Sequence, residues 1–344
     1  MDTLGWQALL AAEMSPAKGL ALLRELGSLS CGWAEAIQKH PSLSPKERER
    51  ACRLFADKVA KAEAAGVRVI LRNRFPEPLQ ALSYPPALFA WGDFECSHAP
   101  TVAIVGTRAA TTYGKAAAIK FAEAFAHAGV TVVSGGALGI DAAAHKGALA
   151  AGGKTIAVLA GGIEQVYPAV HGGLFTQIRE SGCLVGQHGI GSRPNGFRFL
   201  NRNHLIAGLS LGVVVIEAPE RSGALSTVHA ANDQGKQVFV VPANIDNLNF
   251  KGSHALIRDG ATLVDHPDQV LEAFGITASR PQAKMPEVSE IGSRILAALA
   301  EGPLSAEFIV ERSGLETFEV MAEITMLEID GRIMRDGGKY IVKP

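Results

Sequence analysis

"VAIVGTRAATTYG" runs from Val102 to Gly114. Four apolar residues end in a glycine, a threonine and an arginine, and then small and hydroxylated residues take over. A continuous apolar run of this length reads as a strand covered on both faces, and the residues after it as a tight turn entering a helix. The function depends on what that turn holds.

The same unit recurs down the chain. Further strands are expected at "VTVVSG", "KTIAVLAGG", "GCLVGQ", "GVVVIEA", "QVFVVPA" and "ATLVD", with helices such as "YGKAAAIKFAEAFAHAG" and "GIDAAAHKGALAAGG" between them. Alternating buried strands and helices predict an α/β fold with a doubly wound, Rossmann-like sheet. The flanks differ. Residues up to about 66 read as helices; in "SPKERERACRLFADKVAKAEAAG", Ser44 caps, Pro45 fits the first turn and Glu47 completes a capping box. A short strand is expected at "VRVIL", and "FPEPLQALSYPPALFAWGD" reads as extended and partly buried. Residues 277–288 are polar and proline-bearing, as a linker is. Beyond them three short helices and a hairpin turning at Asp336-Gly337-Gly338 make a winged helix. The expected domains are 1–66, 67–276 and 289–344.

Composition narrows the function classes. Of 344 residues, 47% are hydrophobic and 19% charged, which is globular and core-rich. The net charge of −1 gives no global attraction to nucleic acid, so any polyanion site is a local patch. Cys31, Cys52, Cys96 and Cys183 form no C-x-x-C pair and read as reduced packing residues. No basic leader opens the chain and no apolar run is long enough to span a bilayer, so a cytoplasmic protein is expected.

In doubly wound sheets ligands bind beyond the carboxyl ends of the strands. Those ends supply Gly106-Thr107-Arg108, Ser134-Gly135-Gly136, Gly161-Gly162 and Glu217. Several glycine turns on one edge, one with an arginine, favour an anion site over mere tight turns. The dinucleotide fingerprint is absent. "GALAAGGKT" puts Ala148 where a P-loop needs its first glycine, and "GLSLG" around Ser210 has the wrong element order for a nucleophile elbow. "SRPNGFRFLNRNH" interleaves Arg193, Arg198 and Arg202 with Phe197, Phe199, Asn201 and Asn203, which suits a single strand: cations track phosphates while rings stack bases. One of the two phenylalanines is expected to be core. "ERSGALST" sets Arg221, Ser222 and Gly223 at a helix start, where ordinary capping is the competing reading. Asp141 and His145, four apart on one helix, read as a structural pair rather than a proton-transfer pair. His127, His171, His188 and His204 have no metal spacing; neither a metal nor a cofactor is expected.

"VAIVGTR…YG", "VVSGGALGIDAAAH", "TIAVLAGGIEQVYP", "NRNHLIAGLS", "EAPERSGALSTVHAA", "VFVVPA" and "GSHALIRDGATLV" occur in this order. Together they resemble the DNA-processing protein A (DprA/Smf) family over nearly the whole chain. The resemblance implies an N-terminal SAM-like, helix-hairpin-helix-like domain, an extended Rossmann-like domain and a winged helix. It implies a non-enzymatic mediator that binds incoming single-stranded DNA during natural transformation, protects it and loads the recombinase RecA. It places DNA contacts at Gly106, Thr107, Arg108, Arg198, Phe199, Arg202, Asn203 and Arg221, with backbone cradles near Ser134, Gly135, Gly136 and Ser222. It implies a homodimer formed through the Rossmann-like domain at His254 and Leu263.

The chain departs from the family's common pattern at Leu138 and His204, where arginines are frequent, and at Gly186-Gln187, where many members read Ser-Glu. Two positive charges are thereby lost, which flattens the expected salt dependence. The third tail helix carries Glu316, Glu319, Glu323, Glu328 and Asp330 without a lysine or arginine, so the tail is expected to contact protein rather than grip duplex. A competing reading is a nucleotide-processing enzyme of the lysine-decarboxylase-like phosphoribohydrolase type. "RSGALSTVHA" lacks the glutamate that such chemistry needs. A nicotinamide oxidoreductase lacks its fingerprint.

Overall fold

The seven expected apolar runs become the parallel body of one sheet. The computed structural model describes residues 44–46, 49, 64–80, 82, 85, 87–164, 167–188, 191–277, 288–300, 302–330 and 332–342. Most of the expected N-terminal helical domain and most of the expected linker lie outside the described residues. The chain divides into two compact units, Met1–Ser279 and Arg280–Pro344.

In the first unit the strands are β1 (Arg68–Leu71), β2 (Ala87–Gly92), β3 (Thr101–Val105), β4 (Thr131–Ser134), β5 (Thr155–Gly162), β6 (Cys183–His188), β7 (Gly212–Val215), β8 (Gln237–Val240) and β9 (Thr262–Leu263). They pair in the order β1-β2-β6-β5-β4-β3-β7-β8-β9. β3 to β9 are parallel, and β1 and β2 extend the sheet antiparallel beyond β6. The reading of residues 75–93 as an extended stretch needs sharpening, since Ala87–Gly92 is a full strand with its first four residues buried. Its prolines all precede it, so they cost the ladder no donor.

Seven helices of the first unit are α1 (Thr112–His127), α2 (Ile140–Ala150), α3 (Gly172–Ser181), α4 (Gly196–Leu209), α5 (Ala224–Asp233), α6 (Lys251–Arg258) and α7 (Pro267–Ala273). One core joins Val102, Ile104, Val132 and Val214 to Phe121 and Phe125 of α1, Ile140 and Ala144 of α2 and Val270 of α7. The other joins Val105, Val133, Val158 and Val215 to Leu205 and Leu209 of α4 and Val228 and Ala231 of α5. The helices therefore lie on both faces, which is why every residue of β3 is buried and its sequence is continuously apolar. Each such buried branched side chain contributes about 1.5–3 kcal/mol.

Cys96 and Cys183 are buried free thiols. Burial pushes Cys96 up to about 12 and raises Cys183 as well.

β3 pairs with β4 on one side and β7 on the other. The chain thus leaves β3 outward in one direction and returns to build the other half from β7. A crevice opens where the two halves part, at the carboxyl ends of β3 and β7.

The second unit holds α8 (Glu290–Leu299), α9 (Ala306–Ser313), α10 (Thr317–Ile329) and the hairpin β10 (Ile333–Asp336) to β11 (Lys339–Val342). Asp336 pairs with Lys339, leaving Gly337 and Gly338 as a two-residue turn with φ of +53° and +86°. Ile295, Ile309, Val320, Ile324, Leu327 and Tyr340 form its core. The opposite side of α10 exposes Phe318 and Met321, together with Glu316, Glu319 and Glu328.

Candidate nucleic-acid interface

The turn after β3 is fixed from below. Thr107 donates its backbone N–H to the carbonyl of Glu217 at 2.7 Å, and Ile140 donates to the carbonyl of Thr107 at 3.2 Å. The fully buried Glu217 carboxylate accepts from the Thr111 backbone N–H at 3.1 Å, the Thr111 hydroxyl at 2.7 Å and the Asn249 amide at 2.9 Å. Thr111 in turn caps α1 by accepting from the Gly114 N–H at 3.0 Å. One carboxylate thus ties the ends of β3 and β7 and the start of α1 together. A Cβ on Gly106 would lie 2.8 Å from the Cβ of Ile140 and 2.9 Å from the Glu217 carbonyl, so that glycine is demanded by packing within the fold.

On the far wall, Asn195 caps α4 by accepting from the Arg198 N–H at 3.0 Å. The helix then carries Phe199, Arg202 and Asn203 toward the crevice. Arg202 is buried and donates from Nη1 to the carbonyls of Gly135 at 2.7 Å and Val158 at 3.1 Å, and from Nε to Asn203 Oδ1 at 2.9 Å. Asn203 passes the chain on, donating to Ser226 Oγ at 2.6 Å. Asp141 accepts from the Gly135 and Ala137 N–H groups at 3.2 and 3.3 Å. Burial pushes the Asp141 carboxyl up, opposed by the nearby Arg202 charge. Burial likewise lowers the Arg202 guanidinium, opposed by the nearby Asp141 charge.

Between these walls lies a cleft of about 420 Å³. Of the residues expected in the site, Gly106, Thr107, Arg108, Phe199, Arg202, Asn203, Arg221 and Ser222 line it. Gly135 lines an adjoining lobe. Ser134, Gly136 and Arg198 are not among the lining residues. The Ser134 hydroxyl is fully buried and donates to the Ile104 carbonyl at 2.6 Å. The Gly135 N–H, expected as part of a cradle, is spent on Asp141. Gly136 is buried, and its carbonyl lies 2.9 Å from His171 Nδ1. Arg198 donates to the carbonyl of Arg193 at 2.8 Å. Ser222 keeps a capping role, accepting from the Ala224 N–H at 3.2 Å, while lining the cleft.

Arg108 and Arg221 are exposed, and among the described residues neither has a carboxylate partner. The half-buried Phe199 ring lies 5.5 Å from Arg108 Cζ and 5.6 Å from Arg202 Cζ. The expectation that one phenylalanine is core is not met, since Phe197 is 67% exposed and Phe199 faces the cleft. Asp141 and His145 make no hydrogen bond to each other; His145 Nδ1 pairs instead with Thr155 Oγ at 2.7 Å. Among the described residues no cluster of acidic, histidine and cysteine side chains could hold a metal, and no helix is long and apolar enough to cross a membrane.

Residues 67–275, which carry this whole arrangement, match the family model of DNA recombination-mediator protein A, and residues 278–339 match the DprA winged helix domain. The chain belongs to the DprA family. Protein Smf of Escherichia coli (strain K12) is 36% identical over 276 residues, 77% of this chain and 74% of the relative. The crystal structure of DprA from Streptococcus pneumoniae superimposes with a TM-score of 0.67 at 29% identity, covering 79% of this chain and 98% of that one. A structure of DprA from Helicobacter pylori, which addresses its single-stranded DNA binding mode, has a TM-score of 0.56 at 28% identity over 60% of this chain and 95% of that one.

Within this DprA chain, one residue's role and one residue of the site escaped the residue-by-residue reading. Glu217, expected at the ligand-binding edge, clamps the switch point from below. Tyr167 lines the adjoining lobe, beyond a strand that ends in Gly161-Gly162 at the ligand-binding edge.

Proposed function

We propose that this protein binds single-stranded DNA in the cleft between β3 and β7, as a recombination mediator that makes and breaks no bond. The observation that carries the reading is the pair of exposed guanidiniums, Arg108 and Arg221, lining one cleft with the Phe199 ring at the topological switch point. Cations without carboxylate partners hold phosphates, and an accessible ring serves a base. The binding mode addressed by the Helicobacter relative's structure supports the choice of a single strand.

The finer reading follows the family. The protein protects incoming DNA during natural transformation and loads RecA in the cytoplasm. It acts as a homodimer through α6 and β9. Leu263 is 48% exposed on the outermost strand, and His254 lies on the adjoining helix, half-buried against the Ala243 carbonyl. The partition into an N-terminal helical domain at 1–66, a Rossmann-like domain at 67–276, a linker at 277–288 and a winged helix at 289–344 belongs to the same reading. The acidic side chains and exposed Phe318 of α10 support a tail that meets protein rather than duplex.

The phosphoribohydrolase reading gains nothing from the geometry. Asp141 and Glu217, the carboxylates beside the cleft, are both engaged in bonds that hold the fold.

The test is fluorescence anisotropy of a labelled single-stranded oligonucleotide and a duplex of equal length across a salt series. Preference for the single strand with a steep salt slope is expected. Binding to neither would remove the polymer from the cleft and turn attention to free nucleotides.

A further inference from the structure

Beside the main cleft lies a lobe of different character. Ala137, Leu138, Tyr167, Pro168 and Phe199 line a space of about 50 Å³ together with Gly135 and the two arginines Arg108 and Arg202. The main cleft is lined in part by the polar residues Thr107, Ser222, Ser226 and Thr227. The lobe presents rings and apolar side chains. Tyr167 is 53% exposed, and its ring centre lies 6.1 Å from that of Phe199 at an interplanar angle of 61°. Leu138 is 44% exposed on the same lobe. Two accessible rings meeting at an angle, with a cation beside them, fit a flat heteroaromatic body attached to an anionic chain.

We propose that this lobe is a nucleobase slot with Tyr167 as its platform. The proposal rests on the reading of the cleft as a single-strand site. A phosphate held at Arg108 leaves its own base within reach of the lobe, so one nucleotide bridges the two. Stacking on Tyr167 is indifferent to base identity, because every base offers a π-face. Leu138 gains a meaning here. Its side chain gives the slot an apolar wall. Contact there adds affinity that salt does not screen.

The experiment compares the full-length protein with Tyr167→Ala, Tyr167→Leu and Tyr167→Phe. The probes are one labelled single-stranded oligonucleotide and the same length of abasic sugar–phosphate strand. Tyr167→Ala is expected to weaken binding to the intact strand about tenfold. Its salt slope should match that of the unaltered protein, and its affinity for the abasic strand should be unchanged. Tyr167→Phe should bind as the unaltered protein does. Tyr167→Leu keeps bulk without a π-face, and should resemble the alanine variant. A 2-aminopurine base in the strand should be quenched by the protein and not by Tyr167→Ala. Equal binding of the intact strand by the protein and Tyr167→Ala would overturn the slot while leaving the cleft reading intact. So would an equal loss on intact and abasic strands. Failure of the unaltered protein to bind the intact strand would overturn both readings together.

Discussion

Arg202 donates to the carbonyl of Gly135 at 2.7 Å, tying the middle of α4 to the end of β4. Arg108, which touches the same Phe199 ring, is exposed and makes no such tie. Two arginines that touch one ring therefore do different work, and their substitution separates stability from binding.

Replacing Arg202 with alanine leaves the carbonyls of Gly135 and Val158 without their donor and removes the cation beside buried Asp141. Removal of one member of a buried charged network costs on the order of 3 kcal/mol. Urea unfolding of Arg202→Ala should show a loss of that size. Lysine cannot reproduce the fork, so Arg202→Lys should recover only part of it. An unfolding midpoint equal to that of the unaltered protein would show that α4 docks without this residue.

Arg108→Ala and Arg221→Ala should melt within a degree or two of the unaltered protein, since both side chains are exposed. Each should weaken single-strand binding to all sequences alike, because phosphate contacts read no bases. Each should also flatten the log–log salt slope by about 0.7, the value for one phosphate contact on a single strand. Anisotropy at three or more salt concentrations measures both effects. An unchanged slope in either variant removes that residue from the phosphate path.

Glu217→Ala leaves the half-buried Thr111 N–H, Thr111 hydroxyl and Asn249 amide without their common acceptor. A destabilisation on the order of 3 kcal/mol is expected. Glu217→Gln keeps one acceptor oxygen and should lose less. Chemical denaturation of the two variants side by side gives the ranking, and the reverse order would contradict the clamp.

His145 is fully buried. The Thr155 hydroxyl donates to the Val132 carbonyl at 2.8 Å, so it accepts from His145 Nδ1 at 2.7 Å and the proton of the neutral ring sits on Nδ1. Nε2 has no partner among the described residues. Burial, with His171 and Arg202 adding, lowers the ring from 6.5 to about 3. Between those values the unfolded chain binds a proton that the folded chain refuses, so His145 makes stability fall as pH drops below about 6.5. Asp141, raised by its burial, works in the opposite direction at the low end of the same range. Comparison with His145→Gln isolates the histidine. The stability difference between the two proteins should shift in favour of the variant by on the order of 1 kcal/mol per pH unit on acidification below 6.5. A difference that stays constant between pH 7 and 5 would contradict the buried neutral ring.

The parallel strands were legible because a sheet covered on both faces leaves no polar positions to interrupt them. Val102–Val105 and Val213–Val215 could be read directly. Ala87–Gly92 was less plain, because the prolines before it dominate the local pattern while the strand itself has only six residues. The exposed rim of the cleft, Arg108 and Arg221, was legible from glycine and serine turns at strand ends. The inner wall was not. Arg198 and Arg202 are four apart on α4 and alike in sequence, yet only Arg202 reaches the carbonyls of β4 and β5. Which of them turns inward is set by the docking of α4 on strands more than 40 residues away. The Ser134 side chain was equally illegible: it is the last residue of β4, and its hydroxyl is bonded to the Ile104 carbonyl of the neighbouring strand.

β9 is two residues long and closes one side of the sheet. Its outer edge offers a passing chain room for a very short ladder before the backbone turns away. Pairing there is self-limiting: two copies can satisfy one another, but no flat rail is left along which a third could stack. A very short edge strand is one of the devices by which sheets discourage edge-to-edge aggregation, and β9 gives this side of the sheet that device.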